Sequence, residues 1–304
     1  MKFAIWRHEN SLGNSAEHTY GLYKHLLRND IKNAEIYVEK DFQKCFAMCI
    51  PGVEGENIRF FDEEICSESL YKHPFSQDIH FPNVYREEMT YPSSWKDLSE
   101  DPDCTLEFPE HLYENKHNLP KDCILMQFRE SGTFDKRVVG ATEEPQRFVN
   151  IGVFFKMAEY YADKGYKVVR VGDKNQTPLP EHENIIDFAM VEDKSMMDDL
   201  FLISTCKAFV SCDSGIWPMA AALKKNLVLC NVTSVFTLDD KYVETNGTTK
   251  TMKKAKTSIV DWLPEETTRI LYKKFQFDIP DKPGYIIIKD NSFDEIKEAL
   301  ESFL

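Results

Sequence analysis

The sequence contains no apolar run of about 18 residues, the length that a membrane-spanning helix requires. Its first residues, MKFAIWRHENS, form a strand-like run and lack the long apolar core of a secretory signal peptide. Acidic residues outnumber basic residues by 51 to 37, and the resulting net charge of −14 disfavours nucleic acids and anionic membrane surfaces as partners. Neither an internal repeat nor a low-complexity tract is present. What remains is a globular chain whose apolar content of 42% is sufficient for sizeable cores.

Cysteine pairs of the CxxC type are also missing, and no Cys/His cluster has the spacing of metal ligands. The eight cysteines are scattered, and several lie in apolar runs, where a buried, reduced thiol is expected. Reduced thiols indicate a cytoplasmic location. The one acidic pair with a possible metal role is Asp101-Pro-Asp103, because two such carboxylates can chelate a cation bound to a nucleotide diphosphate. Acids around a loop proline are more often simply solvated, so we predict no metal site.

A chain of 304 residues exceeds one domain of about 150 residues, and we place a boundary after residue 120. In residues 1–120, strands alternate with helices and then give way to an irregular segment, 64–120, which is either a set of loops around a substrate or an insertion. The predicted strands are 2–7, 34–39 and 57–62, and the predicted helices are 15–28 and 40–48.

Residues 121–304 repeat the alternation more strongly. The predicted strands are 123–129, 166–172, 185–189, 208–212, 227–232 and 285–289, and the predicted helices are 148–164, 195–204 and 293–303, with a further helix after residue 215. Lys164-Gly165 is a good helix stop. Alternating strands and helices predict an α/β protein with two Rossmann-like, doubly wound domains.

A donor-rich turn, Asp213-Ser214-Gly215, separates the strand at 208–212 from the helix that follows. Asp213 or Ser214 can cap the helix, and Gly215 permits close approach of a ligand to the backbone. Free amide groups at a helix start form an anion site, and ligands of doubly wound sheets bind beyond the carboxyl ends of the strands. The turn is therefore either an anion site or only a helix cap.

Cations in the neighbouring loops favour the anion site. Arg129 ends a strongly apolar strand, where a purely structural charge is costly. These loops contain four more basic residues, Lys136, Arg137, Arg147 and Lys174. Each is either a solvated surface cation or a partner of a diphosphate.

The order of these motifs resembles that of GT-B glycosyltransferases, above all the heptosyltransferase-type family and related bacterial glycosyltransferases. In residues 1–62, SLGNSAEHTYGLYKHLL resembles the S-x-G-D-x-x-H-T loop and helix of that family, and AEIYVEKDF and a Pro-Gly-Val turn follow. In residues 123–235, the segments RFVN, GYKVVRVGD and IIDFA precede DSGIWPMAAALKKNLVLCNVTS, which resembles the family's Asp-Thr/Ser-Gly loop, helix and strand.

The resemblance implies two domains that face a cleft, with the acceptor on residues 1–120 and a nucleotide-sugar donor on residues 121–304. It implies inverting transfer of a sugar to a hydroxyl of a glycan or another acceptor, with no cofactor. We predict that the donor is bound by Gly13 and Asn14 of the first loop, by the Asp213-Ser214-Gly215 turn, and by the cations Arg129, Lys136, Arg147 and Lys174.

Two positions depart from the family pattern. Asn14 replaces an aspartate regarded as the catalytic base, so the candidates for that role become Glu9, Glu17 and His18, the last two expected in the first turn of the helix. Pro218 replaces a histidine that contacts phosphate in the family. Two other functions therefore stay open. One is a nucleotide-sugar epimerase or hydrolase of the same fold, and the other is a non-catalytic nucleotide-sugar-binding protein.

Overall fold

The structure is a computed structural model that describes the following residues: 2–4, 12–60, 70–72, 78–80, 89–90, 104–130, 148–213, 215–233, 241–245, 248–252, 263–276, 280–281, 283 and 285–304. The chain divides into two compact units. The first unit comprises Met1–Glu114, Ala222–Lys224 and Asp261–Leu263, and the second comprises Asn115–Ala221, Lys225–Val260 and Pro264–Leu304. No helix in the described ranges is long and apolar enough to cross a membrane.

The first unit contains a parallel sheet whose strand order is β3-β2-β1-β6. These strands are β1 (Lys2–Ala4), β2 (Glu35–Val38), β3 (Ile58–Phe60) and β6 (Met89–Thr90). The helices are α1 (Leu12–Arg28) and α2 (Asp41–Ala47), and β4 (Leu70–Lys72) pairs with β5 (Asp78–His80) in a separate antiparallel sheet. The predicted alternation of strands and helices up to residue 60 is confirmed. The strand β6 lies in the segment that we predicted to be irregular.

Helix α1 ends where the chain enters the left-handed region at Asp30, with φ of 50°. The Ile31 amide donates to Leu26 O at 2.9 Å and the Asp30 amide donates to Leu27 O at 3.2 Å. This is the Schellman pattern, in which two carbonyl groups of the last turn gain partners. It turns the chain back toward β2.

The second unit is built on a six-stranded parallel sheet of order β14-β11-β10-β7-β8-β9. Its strands are β7 (Ile124–Gln127), β8 (Val168–Arg170), β9 (Ile185–Asp187), β10 (Ala208–Cys212), β11 (Leu227–Val232) and β14 (Thr268–Tyr272). Its helices are α3 (Ile151–Asp163), α4 (Met196–Thr205), α5 (Trp217–Ala222) and α6 (Phe293–Glu301). Numbered along the chain, the strands stand in the Rossmann order 6-5-4-1-2-3.

Apolar side chains of β7, β10 and β11 form the core of this unit with α3 and α6. Met126, Phe154 and Ile296 are fully buried within it. Helix α3 ends at the predicted stop, because Gly165 has φ of 86° and the Tyr166 amide donates to Tyr161 O at 3.0 Å. The buried strand and the amphipathic helix predicted from apolar periodicity are both confirmed.

One expectation for the end of the chain is wrong, and several strands there were not predicted. The strand β16 (Tyr285–Lys289), which we assigned to the doubly wound sheet, instead belongs to a four-stranded sheet of order β13-β12-β16-β15. Its partners are β12 (Lys241–Thr245), β13 (Thr248–Met252) and β15 (Lys274–Gln276), none of which we predicted. The strand that pairs with β11 at the edge of the doubly wound sheet is β14, which we also did not predict. In this pair, residues 227–229 are in register with residues 268–270.

Candidate functional site

The six-stranded sheet reverses its direction of growth between β7 and β10. The chain runs outward from β7 through β8 to β9, and then crosses back to place β10 on the other side of β7. In open α/β sheets such a reversal leaves a crevice at the carboxyl ends of the two central strands, where ligands bind. The residues at those two ends are therefore the candidate site of the second unit.

The turn after β10 lies at this switch point. Asp213 is buried, with 2% of its surface exposed, and Gly215 adopts φ of 77°, a left-handed conformation that favours glycine. Ser214, which we predicted to bind the donor, lies outside the described residues. Helix α5 has only six residues, so its dipole contributes little, and Pro218 is tolerated because first-turn amides have no intrahelical partner. Any anion held here depends on backbone amides and nearby cations.

The carboxamide of Gln127 lies beneath this turn, at the end of β7. The Ser211 hydroxyl of β10 donates to Gln127 Oε1 at 2.9 Å, and both side chains are buried. We did not single out Gln127 from the sequence, although a polar residue ending an apolar strand was a signal that could have pointed to it. The contact joins β7 to β10 at the reversal of the sheet.

Arg129 is the predicted cation that the structure places at the switch point. It follows β7 by two residues and is 6% exposed, and its guanidinium carbon lies 5.6 Å from the centroid of the Phe148 ring. Its backbone carbonyl accepts from the Val149 amide at 3.0 Å, which holds the start of α3 against the end of β7. Lys136, Arg137 and Arg147, the other cations predicted for this loop, lie outside the described residues.

Lys174, the fifth predicted cation, is a surface residue. Its ammonium lies 3.7 Å from Glu192 Oε1, and the two side chains are 57% and 86% exposed. A different lysine, Lys194, reaches the end of β8, where its ammonium donates to Gly172 O at 2.6 Å. The structure therefore brings Lys194, rather than Lys174, into contact with the backbone at the carboxyl end of β8.

Lys194 also lies 3.6 Å from the carboxylate of Asp199 in the first turn of α4. Burial raises the pKa of Asp199 from 3.8 to about 6, and the positive charge of Lys194 opposes that rise. The adjacent Asp198 carboxylate adds to the rise by charge repulsion. Asp198 itself accepts hydrogen bonds from the Ser195 amide and hydroxyl, both at 2.7 Å, in a capping box.

A buried ion pair that sequence reasoning missed lies beyond β14. The Lys273 ammonium is 2.7 Å from Asp290 Oδ1 and donates to Phe148 O at 2.5 Å, and its side chain is fully buried. Asp290 Oδ2 accepts from the Asn150 amide at 2.5 Å. Because β14 was not predicted, nothing distinguished Lys273 from its lysine neighbours in the sequence.

The candidate catalytic residues of the first unit lie on or before α1. The expectation that Glu17 and His18 occupy the first turn is wrong, because the helix begins at Leu12 and includes Gly13 and the backbone of Asn14. Gly13 and Asn14 are weak helix formers, but the buried Ser15 side chain accepts from Gln43 Nε2 at 3.3 Å. Tertiary contacts thus support a turn that propensity disfavours.

Glu17 is 7% exposed, whereas a carboxylate that merely complements the helix dipole stays at the surface. Glu9 and the Asn14 side chain lie outside the described residues, as do Asp101 and Asp103. Within the part of the chain that the structure describes, no three His, Cys, Asp or Glu side chains are grouped so as to hold a metal ion.

Comparison with solved structures identifies the architecture. ADP-heptose LPS heptosyltransferase II of E. coli aligns with a TM-score of 0.52 and 16% identity over 99% of this chain and 98% of its own. The glycosyl transferase family 9 protein of Veillonella parvula aligns with a TM-score of 0.52 and 13% identity over 99% and 96%. The protein has the GT-B fold.

Heptosyltransferase WaaC of E. coli, solved with ADP, also aligns along its whole length, with a TM-score of 0.50 and 11% identity over 100% of both chains. No protein-family model matches the sequence, and no curated protein sequence matches it. At these identities the likeness concerns the GT-B fold, and it confirms the fold that the short motifs predicted.

Proposed function

We propose that the protein is a glycosyltransferase that moves a sugar from a nucleotide-sugar donor to an acceptor hydroxyl, with inversion and without a metal ion. The proposal is supported by a GT-B fold that aligns with two heptosyltransferases over nearly their whole length. The observation that carries it is the position of Arg129 after β7 and of Asp213 and Gly215 after β10, two strands that pair at the switch point of the second unit.

The second unit is assigned the donor. We assign to Arg129 the buried positive charge beside the anionic diphosphate, and to the Gly215 amide the part of a backbone donor. Sugar transfer from such a donor needs little covalent chemistry from the protein, because the nucleoside diphosphate is a good leaving group. Neutralising the charge that develops on the leaving phosphate is the main task of these residues.

The first unit is assigned the acceptor and the base. An acceptor hydroxyl must lose its proton as it attacks the sugar from the face opposite the leaving group. Asn14 cannot take that proton near neutral pH, and we assign the role to Glu9, with the buried Glu17 and the half-buried His18 as the alternatives. Each of these three residues could accept the proton of an acceptor hydroxyl, and the proposal does not specify the rest of the acceptor.

We also propose a cytoplasmic location. The seven cysteines that the structure describes are free, and burial raises the pKa of Cys49 and Cys123 to about 12, which keeps both thiols protonated. Neutral, buried thiols suit a reducing compartment.

A thermal-shift screen of ADP, UDP, GDP and CDP tests the donor assignment. A ligand that binds only the folded protein stabilises it by about 2.7 kcal/mol at 100 times its Kd. We expect one nucleoside diphosphate to raise the Tm by several degrees, while its free nucleoside raises it less. ADP is the first probe because the WaaC structure contains it. No shift with any of the four would contradict the proposal.

Product analysis with the matching nucleotide sugar then separates the rival activities. An epimerase or hydrolase consumes the donor without an acceptor, a transferase requires one, and a binding protein leaves the donor intact.

A further inference from the structure

Gln127 occupies the floor of the switch point, between the ends of β7 and β10. Its side chain is 9% exposed, and its Oε1 accepts from the Ser211 hydroxyl at 2.9 Å. The hydrogen bond from Ser211 of β10 fixes the orientation of the carboxamide, and its Nε2, Cδ and Oε1 atoms all lie against Gly215 in the turn that follows β10.

Gly215 in that turn is in direct contact with the carboxamide. A Cβ atom built on Gly215 would lie 2.5 Å from Gln127 Nε2 and 2.8 Å from its Cδ, closer than real side chains approach. The space that a side chain at position 215 would fill is therefore taken by Gln127. The positive φ of Gly215 and this close approach together explain why the turn needs glycine.

We propose that Gln127 is a positioning residue of the donor site, which holds Gly215, in the turn after β10, in place and keeps the floor of that turn uncharged for a nucleoside diphosphate. The inference rests on the function proposed above. Asp213 already contributes a buried carboxyl group here, and a second negative charge beneath the turn would repel a diphosphate. A carboxamide has the shape of a carboxylate, but it is neutral and donates hydrogen bonds.

The test separates charge from shape. Gln127→Glu keeps the size of the side chain and adds one negative charge, whereas Gln127→Met removes the contact with Ser211 without adding charge. For the nucleoside diphosphate that wild type binds best among ADP, UDP, GDP and CDP, titration calorimetry should show at least tenfold weaker binding to Gln127→Glu. Gln127→Met should bind it three- to tenfold more weakly.

Binding of the free nucleoside distinguishes a specific effect on the diphosphate from a general disturbance of the site, which would weaken both ligands. The affinity for the nucleoside should change less than twofold in both variants, because it carries no phosphate. Gln276→Glu is the matched control, since it makes the same charge change at an exposed position of β15 and should leave both affinities unchanged. Circular dichroism confirms that the compared variants are folded.

A second measurement needs no ligand. Gly215→Ala should lower the Tm by several degrees, since the added side chain is strained at the positive φ of this position and also meets Gln127; in a Gln127→Ala background only the strain remains, so the same substitution should lower the Tm by less. Equal penalties in the two backgrounds would overturn the positioning contact.

The outcomes are distinct. If wild type binds none of the four nucleotides, the proposed donor function fails and this inference with it. If wild type binds one of them, and folded Gln127→Glu or Gln127→Met binds it equally well, only the role of Gln127 is overturned.

Discussion

Arg170 and Asp187 form a bidentate ion pair at the ends of β8 and β9. Arg170 Nε and Nη2 each lie 2.7 Å from one oxygen of the carboxylate, and the arginine is fully buried. Arg170 Nη1 also donates to Thr177 O at 2.7 Å, and Asp187 Oδ2 accepts from the Leu179 amide at 2.8 Å. The pair thereby organises the helix-free segment 171–184, which connects two parallel strands.

Substitution of Arg170 by methionine should destabilise the protein by about 3–5 kcal/mol, because it leaves the Asp187 charge without its partner. The double variant Arg170→Met/Asp187→Leu should recover part of that loss, and urea unfolding measures both. Lys164→Ala serves as the control, since Lys164 pairs with Glu301 at the surface and its loss should leave the urea-unfolding curve close to that of wild type. A folded Arg170→Met with wild-type stability would contradict the assignment.

Asp199 should make stability fall as the pH rises from about 4 to about 6. Its pKa is raised from 3.8 to about 6 by burial, so folding takes up a proton within that interval. Its contribution is most favourable below pH 4 and is lost as the pH passes through its folded pKa, a change of about 2–3 kcal/mol.

The difference in unfolding free energy between wild type and Asp199→Asn, measured by urea unfolding from pH 4 to 7, isolates this group. The variant should gain stability relative to wild type as the pH rises through that interval. Parallel curves for wild type and Asp199→Asn would show that burial does not raise the pKa of this carboxyl group.

Arg129→Ala should weaken binding of a nucleoside diphosphate by about 1.5–3 kcal/mol, the value of a lost charged hydrogen bond. Lys174→Ala is a suitable comparison, because that lysine was also predicted to bind the donor and lies at the surface beside Glu192. The Lys174→Ala variant should bind the nucleoside diphosphate almost as tightly as wild type does. Calorimetric titration of both variants decides the point, and unchanged affinity in folded Arg129→Ala would refute the role of this arginine.

Glu9→Gln should lower kcat by about 10²–10⁴-fold, the usual cost of removing a general base. Donor affinity should stay nearly constant, since the donor is assigned to the other unit. Glu17→Gln and His18→Gln should have smaller effects in the same steady-state assay. Near-normal turnover of Glu9→Gln would show that the base is another group. If Asn14→Asp is more active than wild type, the natural protein has lost the family's base without replacing it, which favours the non-catalytic alternative.

Transferase activity should survive EDTA, because arginine and lysine side chains can neutralise a leaving diphosphate as a metal ion does. The assay compares initial rates before and after chelation, with added Mg²⁺ or Mn²⁺ as the reciprocal test. Full loss of activity that either ion restores would overturn metal independence and return attention to Asp101 and Asp103.

Local patterns in the sequence were sufficient for most of the architecture. The apolar run CILMQFR predicted β7, and Lys164-Gly165 predicted the end of α3, since strand period and helix caps depend on residues close along the chain. The position of Arg129 and of the Asp213–Gly215 turn at strand ends followed from the same patterns, because parallel strands present their carboxyl ends at one edge.

Contacts between distant segments could not be deduced in this way. Gln127 and Ser211 are 84 residues apart, and Lys273 meets a carbonyl group 125 residues away. Likewise, the place of β14 beside β11 and the start of α1 at Leu12 depend on neighbours supplied by the fold. Periodicity specifies which face of a segment is buried, but the partner that buries it is selected by the free energy of packing the whole unit.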